Sequence, residues 1–438
     1  MKALHSYEKA PCVRITDANA AGFFPSGLEY NTPARGMWNI VHTGMLLPEA
    51  QQIFVCAQGC LRGVILTAAE MNALDRMSWV SVSEQDMFDG TLEQKVIDGT
   101  ADILRRLGKK PRAVLLFLSC IHLFAGCDFE IILRELSGQF PEIDFVDCYM
   151  TPTMRQTVSP AAKLAEQLYF PLRPLPKDPK SVGILGNDRP TDAHSELVQI
   201  IRNAGCTLRD LTLCHTYDEY LQMADSALYI TYTPVTRSAG EKLTQRIGGR
   251  HLHLPVSFET DTILDNYSRL CEALGVASPE FGENIREMHA ALDAAYDLIG
   301  GREIAIDFTA VSRPFELAKL LTEHGFRVRH IIADAAPEET EAFAWLQVHV
   351  PDLMLYAATN VNMLHFHEEP HPPVLAIGQK AAYYFATDHF VNIVMNGGFY
   401  GFSGIVSLAG LMEDAFRNPK NRRAVLRHKG WGCESCLG

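Results

Sequence analysis

The amino-acid sequence predicts an α/β protein of three doubly wound domains with parallel sheets. Three observations predict it: apolar runs that end in Gly, Asn, Asp or Ser and lead into amphipathic stretches, a Pro-rich break near residue 175, and a length of 438 residues. A buried strand followed by a helix, repeated along the chain, means a parallel sheet, because parallel neighbours need a crossover connection between them. With 47% hydrophobic and 21% charged residues, a chain of this length builds roughly two to four domains with well-buried cores.

The elements follow in order. Gln52 to Cys56 (QIFVC) and Ala113 to Ser119 (AVLLFLS) read as buried strands, with a helix from Leu92 to Leu107 between them and another from Phe129 to Ser137 after. Pro171 to Pro179 (PLRPLPKDP) reads as a linker. A second unit opens with the strand Ser181 to Leu185, passes through a helix stopped by Gly205, adds strands at Leu208 to Leu213 and Ala227 to Thr231, and ends near Phe258. A helical stretch from Asp261 to Ile299 leads to a third unit, with strands at Glu303 to Phe308, Val328 to Ala333, Leu353 to Ala357 and Val374 to Ile377. Its final helix starts after Gly404. The expected division is therefore an N-terminal α/β domain over 1–175, a second over 176–260, connecting helices over 261–300, and a third α/β domain over 301–438 that carries a C-terminal helix and a CxxC tail. All three are Rossmann-like in build, with no repeat that aligns by residue identity.

Composition excludes several classes. A net charge of −13 repels a phosphate backbone, so no nucleic-acid partner is expected. The N-terminus lacks an apolar signal region, and no window approaches the about eighteen uninterrupted apolar residues of a membrane span, so the cytoplasm is the expected location and no membrane partner is expected. Eleven cysteines, an odd number scattered along the chain, fit reduced thiols better than a disulfide framework. There is no P-loop motif for ATP and no legible Ser/His/Asp arrangement.

In open α/β sheets ligands bind beyond the carboxyl ends of strands, and Cys60 and Cys120 both stand there. Cys60 closes Cys56-Ala-Gln-Gly-Cys60, where Gly59 allows a tight turn, and Cys120 directly follows Ser119. The residues alone leave open whether each is a ligand or a packed core cysteine. Cys433 and Cys436 have metal-chelating spacing, but the local sequence lacks two further ligands. They are either exposed thiols of a free end or half of a site completed by Cys148, Cys206 or a neighbouring subunit. His365, His367 and His371 (HFHEEPHPP) read as a polar loop, with metal binding as the rival.

The words around these residues carry a resemblance. Glu84 to Gly90 (EQDMFDG), Ser119-Cys120 and Gly126-Cys127-Asp128 are followed much later by Ile377 to Tyr383 (IGQKAAY), His389 to Asn392 (HFVN) and Tyr400 to Ile405 (YGFSGI). The chain resembles the nitrogenase component-1-type oxidoreductases, specifically over about residues 50–150 and 375–416, with the middle matching in its α/β rhythm. In that family each subunit offers three cysteines to an iron-sulfur cluster at a subunit interface, and the resemblance places two of them on Cys60 and Cys120. The first, due near Arg35 to Met37, is absent. That leaves three alternatives: Cys12 or Cys56 substitutes, a partner subunit supplies the ligand, or the cluster is smaller. The implied cofactor is [4Fe-4S] or a P-cluster-like [8Fe-7S].

The family's nitrogen-reducing members anchor a larger cofactor through a cysteine in the second domain and a histidine before the Gly-Phe of the C-terminal motif. Here Tyr229 to Pro234 (YITYTP) lacks cysteine and Tyr400 stands in the histidine's place. The resemblance thus implies that this chain ligates no nitrogenase-type cofactor and does not fix nitrogen. It implies a pocket lined by His42, Tyr232 and Tyr400, with core packing of both tyrosines as the equal alternative, and Ser119 and the backbone around Gly59 as donors to the sulfurs. It implies partners too: an ATP-dependent Fe-S reductase resembling the nitrogenase iron protein, and a homologous second subunit or a second copy of the chain as homo-oligomer. The expected function is an Fe-S reductase subunit passing electrons to a small molecule other than N2. The rivals are a non-catalytic scaffold for cofactor assembly and a cluster-free structural or regulatory subunit.

Overall fold

The structure, a computed structural model, describes residues 10–25, 27–30, 32, 40–151, 160–368 and 372–427. After β1 (Cys12–Arg14), strands β2 (Ala50–Ala57), β3 (Met77–Val82), β4 (Ala113–Ser119) and β5 (Asp144–Met150) form an all-parallel sheet in the order β3-β2-β4-β5. The two central strands are the two apolar runs of the sequence. Both are buried over nearly their whole length, as strands covered by helices on both faces must be. Phe54 and Phe117 pair in register, and their rings stack at 4.4 Å. The outer strands β3 and β5 mix buried with half-buried positions, so no continuous apolar run announces them.

Strands β6 (Asp178–Ile184), β7 (Thr207–Asp210), β8 (Ser226–Thr231) and β9 (Arg250–His253) repeat the plan in the order β7-β6-β8-β9. The Pro-rich linker therefore ends by entering β6. The third sheet holds β10 (Glu303–Asp307), β11 (Arg327–Ile332), β12 (Met354–Tyr356), β13 (Val374–Ile377) and β14 (Phe390–Val391), in the order β1-β12-β11-β10-β13-β14. All its pairings are parallel except that of β1, which crosses from the start of the chain to lie antiparallel on β12. In each sheet the first strand of the unit has the second on one side, and the chain then crosses to the other side. The direction of winding thus reverses between β2 and β4, between β6 and β8, and between β10 and β13. Those are the three places where a crevice opens at the carboxyl edge. Among the described residues, no helix is long and apolar enough to cross a membrane.

The sheets share their cores. One apolar cluster runs from Val182 and Ile230 of the second sheet to Ile304 and Ile331 of the third, and another joins Phe54 and Phe117 of the first sheet to Tyr229 of the second. The helical stretch expected from 261 to 299 is two helices, Thr260–Leu274 and Gly282–Ile299. The first is ended by Gly275 in the left-handed conformation (φ +69°). The last long helix runs from Gly401 to Arg417 rather than from beyond Gly404. Its start is fixed by Glu196, a buried carboxylate that accepts hydrogen bonds from Ser403 N (3.0 Å), Ser403 Oγ (3.1 Å), the Tyr267 hydroxyl (2.8 Å) and Asn284 Nδ2 (3.2 Å). One side chain of the second unit thereby ties together three helices that come later in the chain.

A second buried acid caps the helix Pro314–Glu323. Glu339 accepts from Phe315 N and Glu316 N, each at 2.8 Å. Burial is the main cause that pushes its pKa up from 4.5 to about 8. Because the folded state holds this proton between pH 4.5 and 8 while the unfolded state releases it, stability falls as pH rises through that window, and the penalty is complete above it. Its ceiling is about 5 kcal/mol. Glu339→Gln, which keeps an acceptor for the two amides, is expected to be stabilising at pH 9 and close to neutral at pH 4.5. Urea denaturation at the two pH values reads this directly, and an equal effect at both would remove the assignment.

Candidate metal centre and central cavity

Each winding reversal has a different content. At the first, β2 runs into the helix Gln58–Glu70, whose first turn carries an exposed Cys60. The adjacent β4 runs into the helix Cys120–Phe124, which starts at a half-buried Cys120. Val55 pairs with Leu118, so the two strands end level and the two thiols emerge from one edge. Cys56 sits just behind them, fully buried in the apolar cluster. Its thiol is pushed up to about 12, first by burial and then by the Cys60 and Cys120 thiols, which are near enough to act on it.

Ser119 is buried, and its hydroxyl is hydrogen-bonded to His122 Nδ1 (3.3 Å). His122 is itself fully buried, burial lowers its pKa, and its Nε2 has no hydrogen-bond partner among the described residues. The sequence reading passed over this imidazole. Its signal was available, since it stands two residues after Cys120 at the same strand end.

Cys12 lies on β1 in the third sheet, exposed and paired in register with Tyr356. It does not join Cys60 and Cys120 on the edge of the first sheet. Cys433 and Cys436 fall outside the described residues, as do Arg35 to Met37 and His371. Cys148 is fully buried in β5 and Cys206 half-buried beside β7. Among the described residues, no three His, Cys, Asp or Glu side chains come together as a complete metal-binding group. Two thiols on one edge could hold part of an iron-sulfur cluster, and the described residues bring no third ligand to them.

At the second reversal lies a cavity of about 50 Å³, bounded by Ile40 and Thr43 from the first unit, Gly186 and Asn187 after β6, Tyr232 after β8, and Met395 from the third unit. All three units meet there. Of the three pocket residues expected from the sequence, Tyr232 lines it. Tyr400 stands behind Tyr232, ring centroids 5.3 Å apart, with its hydroxyl donating to Leu254 O (3.2 Å). His42 is buried on the short helix Ile40–Met45, whose Ile40 and Thr43 form the wall. The described lining carries no thiol and no imidazole. Behind it Asp210, fully buried, is held by Thr212 N and Oγ1, and burial pushes its carboxyl up to about 6.

The third reversal is built around a buried carboxylate. Asp307, at the end of β10, accepts from Thr309 N (2.8 Å), Ala310 N (3.1 Å) and Ala381 N (3.0 Å). Gly378 has φ +109°, and a Cβ there would overlap the Asp307 carboxylate. Lys380 is buried within electrostatic reach of Asp307 and Asp334. The Gly378-Gln379-Lys380 word of the sequence thus packs against a buried carboxylate.

Three doubly wound units, with accessible thiols at one crevice and a shared cavity at the next, define a class of α/β proteins that build their sites where sheets meet. The model of the family described as "Nitrogenase component 1 type Oxidoreductase" matches residues 43–416, and the chain belongs to that family. Among solved structures, "Nitrogenase Cp1 at pH 6.5" is similar with a TM-score of 0.69 at 12% identity, over 90% of this chain and 95% of that one. "Nitrogenase Cp1 at pH 5" is similar with a TM-score of 0.61 at 13% identity, over 93% of this chain and 94% of that one. No curated protein matches the sequence. At these identities the structural likeness speaks to the fold, which is the α/β architecture expected from the sequence.

Proposed function

We propose that this chain is a subunit of a nitrogenase-like iron-sulfur reductase. It receives electrons from an ATP-dependent Fe-S reductase and delivers them to a small molecule, other than N2, in the central cavity. The observation that carries the reading is the emergence of Cys60 and Cys120 from level ends of adjacent strands, at the crevice where the first sheet reverses its winding.

Cys60 and Cys120 are the residues that would hold the cluster. When bound, such a group accepts and releases single electrons. The chain's own part is to bring two thiols to one edge and to back them with the buried, apolar end of β2. It also keeps His122 neutral beside Ser119 and encloses the neighbouring cavity. The described cavity wall offers amide, hydroxyl, aromatic, carboxylate and guanidinium groups and no thiol or imidazole, which suits an organic molecule more than a large metal-sulfur cofactor.

The missing ligands point to a homologous second subunit or a second copy of this chain. Around the same edge Phe88 (77% exposed), Phe124 (72%), Met87, Leu123 and Leu66 stand uncovered, an apolar surface of the kind that subunits bury against each other. None of the nine described cysteines is in a disulfide, which supports a reducing compartment such as the cytoplasm.

The test is iron and acid-labile sulfide on anaerobically purified protein, produced with and without candidate partner subunits. The absorption change on adding an ATP-dependent Fe-S reductase with MgATP is then recorded. Several irons per protomer and an ATP-dependent bleach are expected. A protein that stays free of iron with every partner removes the electron-transfer reading and leaves a family fold used for structure or regulation. Iron that transfers to another protein, without turnover of any small molecule, points to the assembly scaffold.

A further inference from the structure

The central cavity contains an unexplained atom. Asn187 directly follows Gly186 beyond β6, is 7% exposed and lines the cavity. Its Nδ2 donates to Thr191 Oγ1 (3.3 Å) and to Asp210 Oδ2 (3.4 Å). An ionised carboxylate can only accept, so the bond to Asp210 fixes which end of the amide is nitrogen. Asp210 is anchored in turn by Thr212, and Thr191 shares a hydrogen bond with the Tyr232 hydroxyl (3.0 Å). The nitrogen end is thus committed, while Asn187 Oδ1 is buried without a hydrogen-bond partner among the described residues. Buried acceptors in native structures are nearly always satisfied, and the exceptions call for a cause.

The rest of the wall narrows what supplies the missing donor. Leu164, Val235 and the Tyr232 ring give an apolar body to the cavity, and Gly186 leaves no room for a side chain because Thr236 fills the space. Among the described residues that line it are one acid, Asp188, and one base, Arg189. Asp188 is held by Thr43 Oγ1 (3.1 Å).

We infer that the cavity takes a small, largely apolar molecule bearing an N–H or O–H, and that Asn187 Oδ1 receives this donor and sets specificity for it. The inference rests on the reading of the cavity as the substrate site, and it adds a class of substrate and a recognising residue. Discrimination comes from the cost of leaving Oδ1 unpaired, so a ligand without the donor is rejected although it has the same shape.

Pyrrole and furan make the comparison, because these five-membered rings differ mainly in N–H against O. Ligand-observed saturation-transfer NMR on the anaerobically purified full chain is expected to show pyrrole binding roughly tenfold or more tighter than furan. Asn187→Leu, similar in shape and lacking the acceptor, should bring the two rings to equal affinity. Asp210→Asn, which leaves the cavity wall untouched but frees the amide to turn over, should reduce the preference several-fold. Equal affinities in the wild type overturn the inference. So does failure of both rings to bind, or an undiminished preference for pyrrole in Asn187→Leu. No reductase, ATP or turnover enters the measurement. An iron-free chain that still prefers pyrrole keeps this inference while the electron-transfer reading falls, and an iron-loaded, reducible chain without the preference does the reverse.

Discussion

Cys60→Ala and Cys120→Ala are each expected to strip the anaerobically purified protein of most of its iron, while Cys56→Ala retains it. The three thiols lie near one another, yet their surroundings differ. Cys60 is exposed and Cys120 half-buried at the edge of the first sheet, where a thiolate can meet metal. Cys56 is fully buried and its thiol is pushed up to about 12, so at neutral pH it keeps its proton and packs as a small apolar side chain. Alanine in the first turn of either helix costs the fold little, since it is the best helix former and neither position is fully buried. Loss of iron with unchanged far-ultraviolet circular dichroism would therefore report ligation and not unfolding. Cys12→Ala, on another sheet, should leave iron unaffected. If iron persists in both the Cys60 and the Cys120 variants, or leaves equally from Cys56→Ala, the ligand assignment is wrong.

Gly401→Ala is expected to destabilise the chain by at least about 4 kcal/mol. Gly401 has φ +72°, where a side chain costs roughly 1–2 kcal/mol. The added Cβ would overlap the Tyr267 hydroxyl and stand 2.7 Å from Glu196 Oε2. Neither neighbour can retreat without breaking the hydrogen bonds that converge on the Glu196 carboxylate, each buried loss being worth about 1–3 kcal/mol. Gly410→Ala supplies the control. It lies on the same helix with nothing within 4 Å of its added Cβ, so it should be neutral or stabilising by up to about 1 kcal/mol. Equal denaturation midpoints for the two variants would show that the convergence on Glu196 is not what holds the helix start.

The contrast between these residues shows what a sequence can disclose. Cys60 and Cys120 were legible because each follows a fully buried strand, and such strands appear as uninterrupted apolar runs. Strands β3, β5 and β9 were not read because outer strands of a parallel sheet keep polar residues on their uncovered positions. The early start of the last helix was hidden for a different reason. It depends on Glu196, some two hundred residues away, and a side chain that caps through space leaves no local mark. Asn187 belongs to the same category. Its position after an apolar run was visible, but its meaning requires knowing that β6 and β8 are neighbours and that Asp210 holds the amide from behind.

Strand β1 carries a consequence for how the chain comes into being. It is the first described strand to leave the ribosome, yet its strand partner among the described residues, β12, follows about 340 residues later. At ordinary synthesis rates of about 5–20 residues per second, the N-terminal segment waits on the order of 20–70 s before its place exists. The first two sheets can form behind it in chain order, whereas the third stays open along β12 until the oldest residues return. Completion of the third sheet is therefore a clasp between residues 12–14 and residues 354–356. A product cut short before β12 leaves β1 unpaired, and one lacking β1 bares a strand edge to other chains, so both are natural targets for quality control.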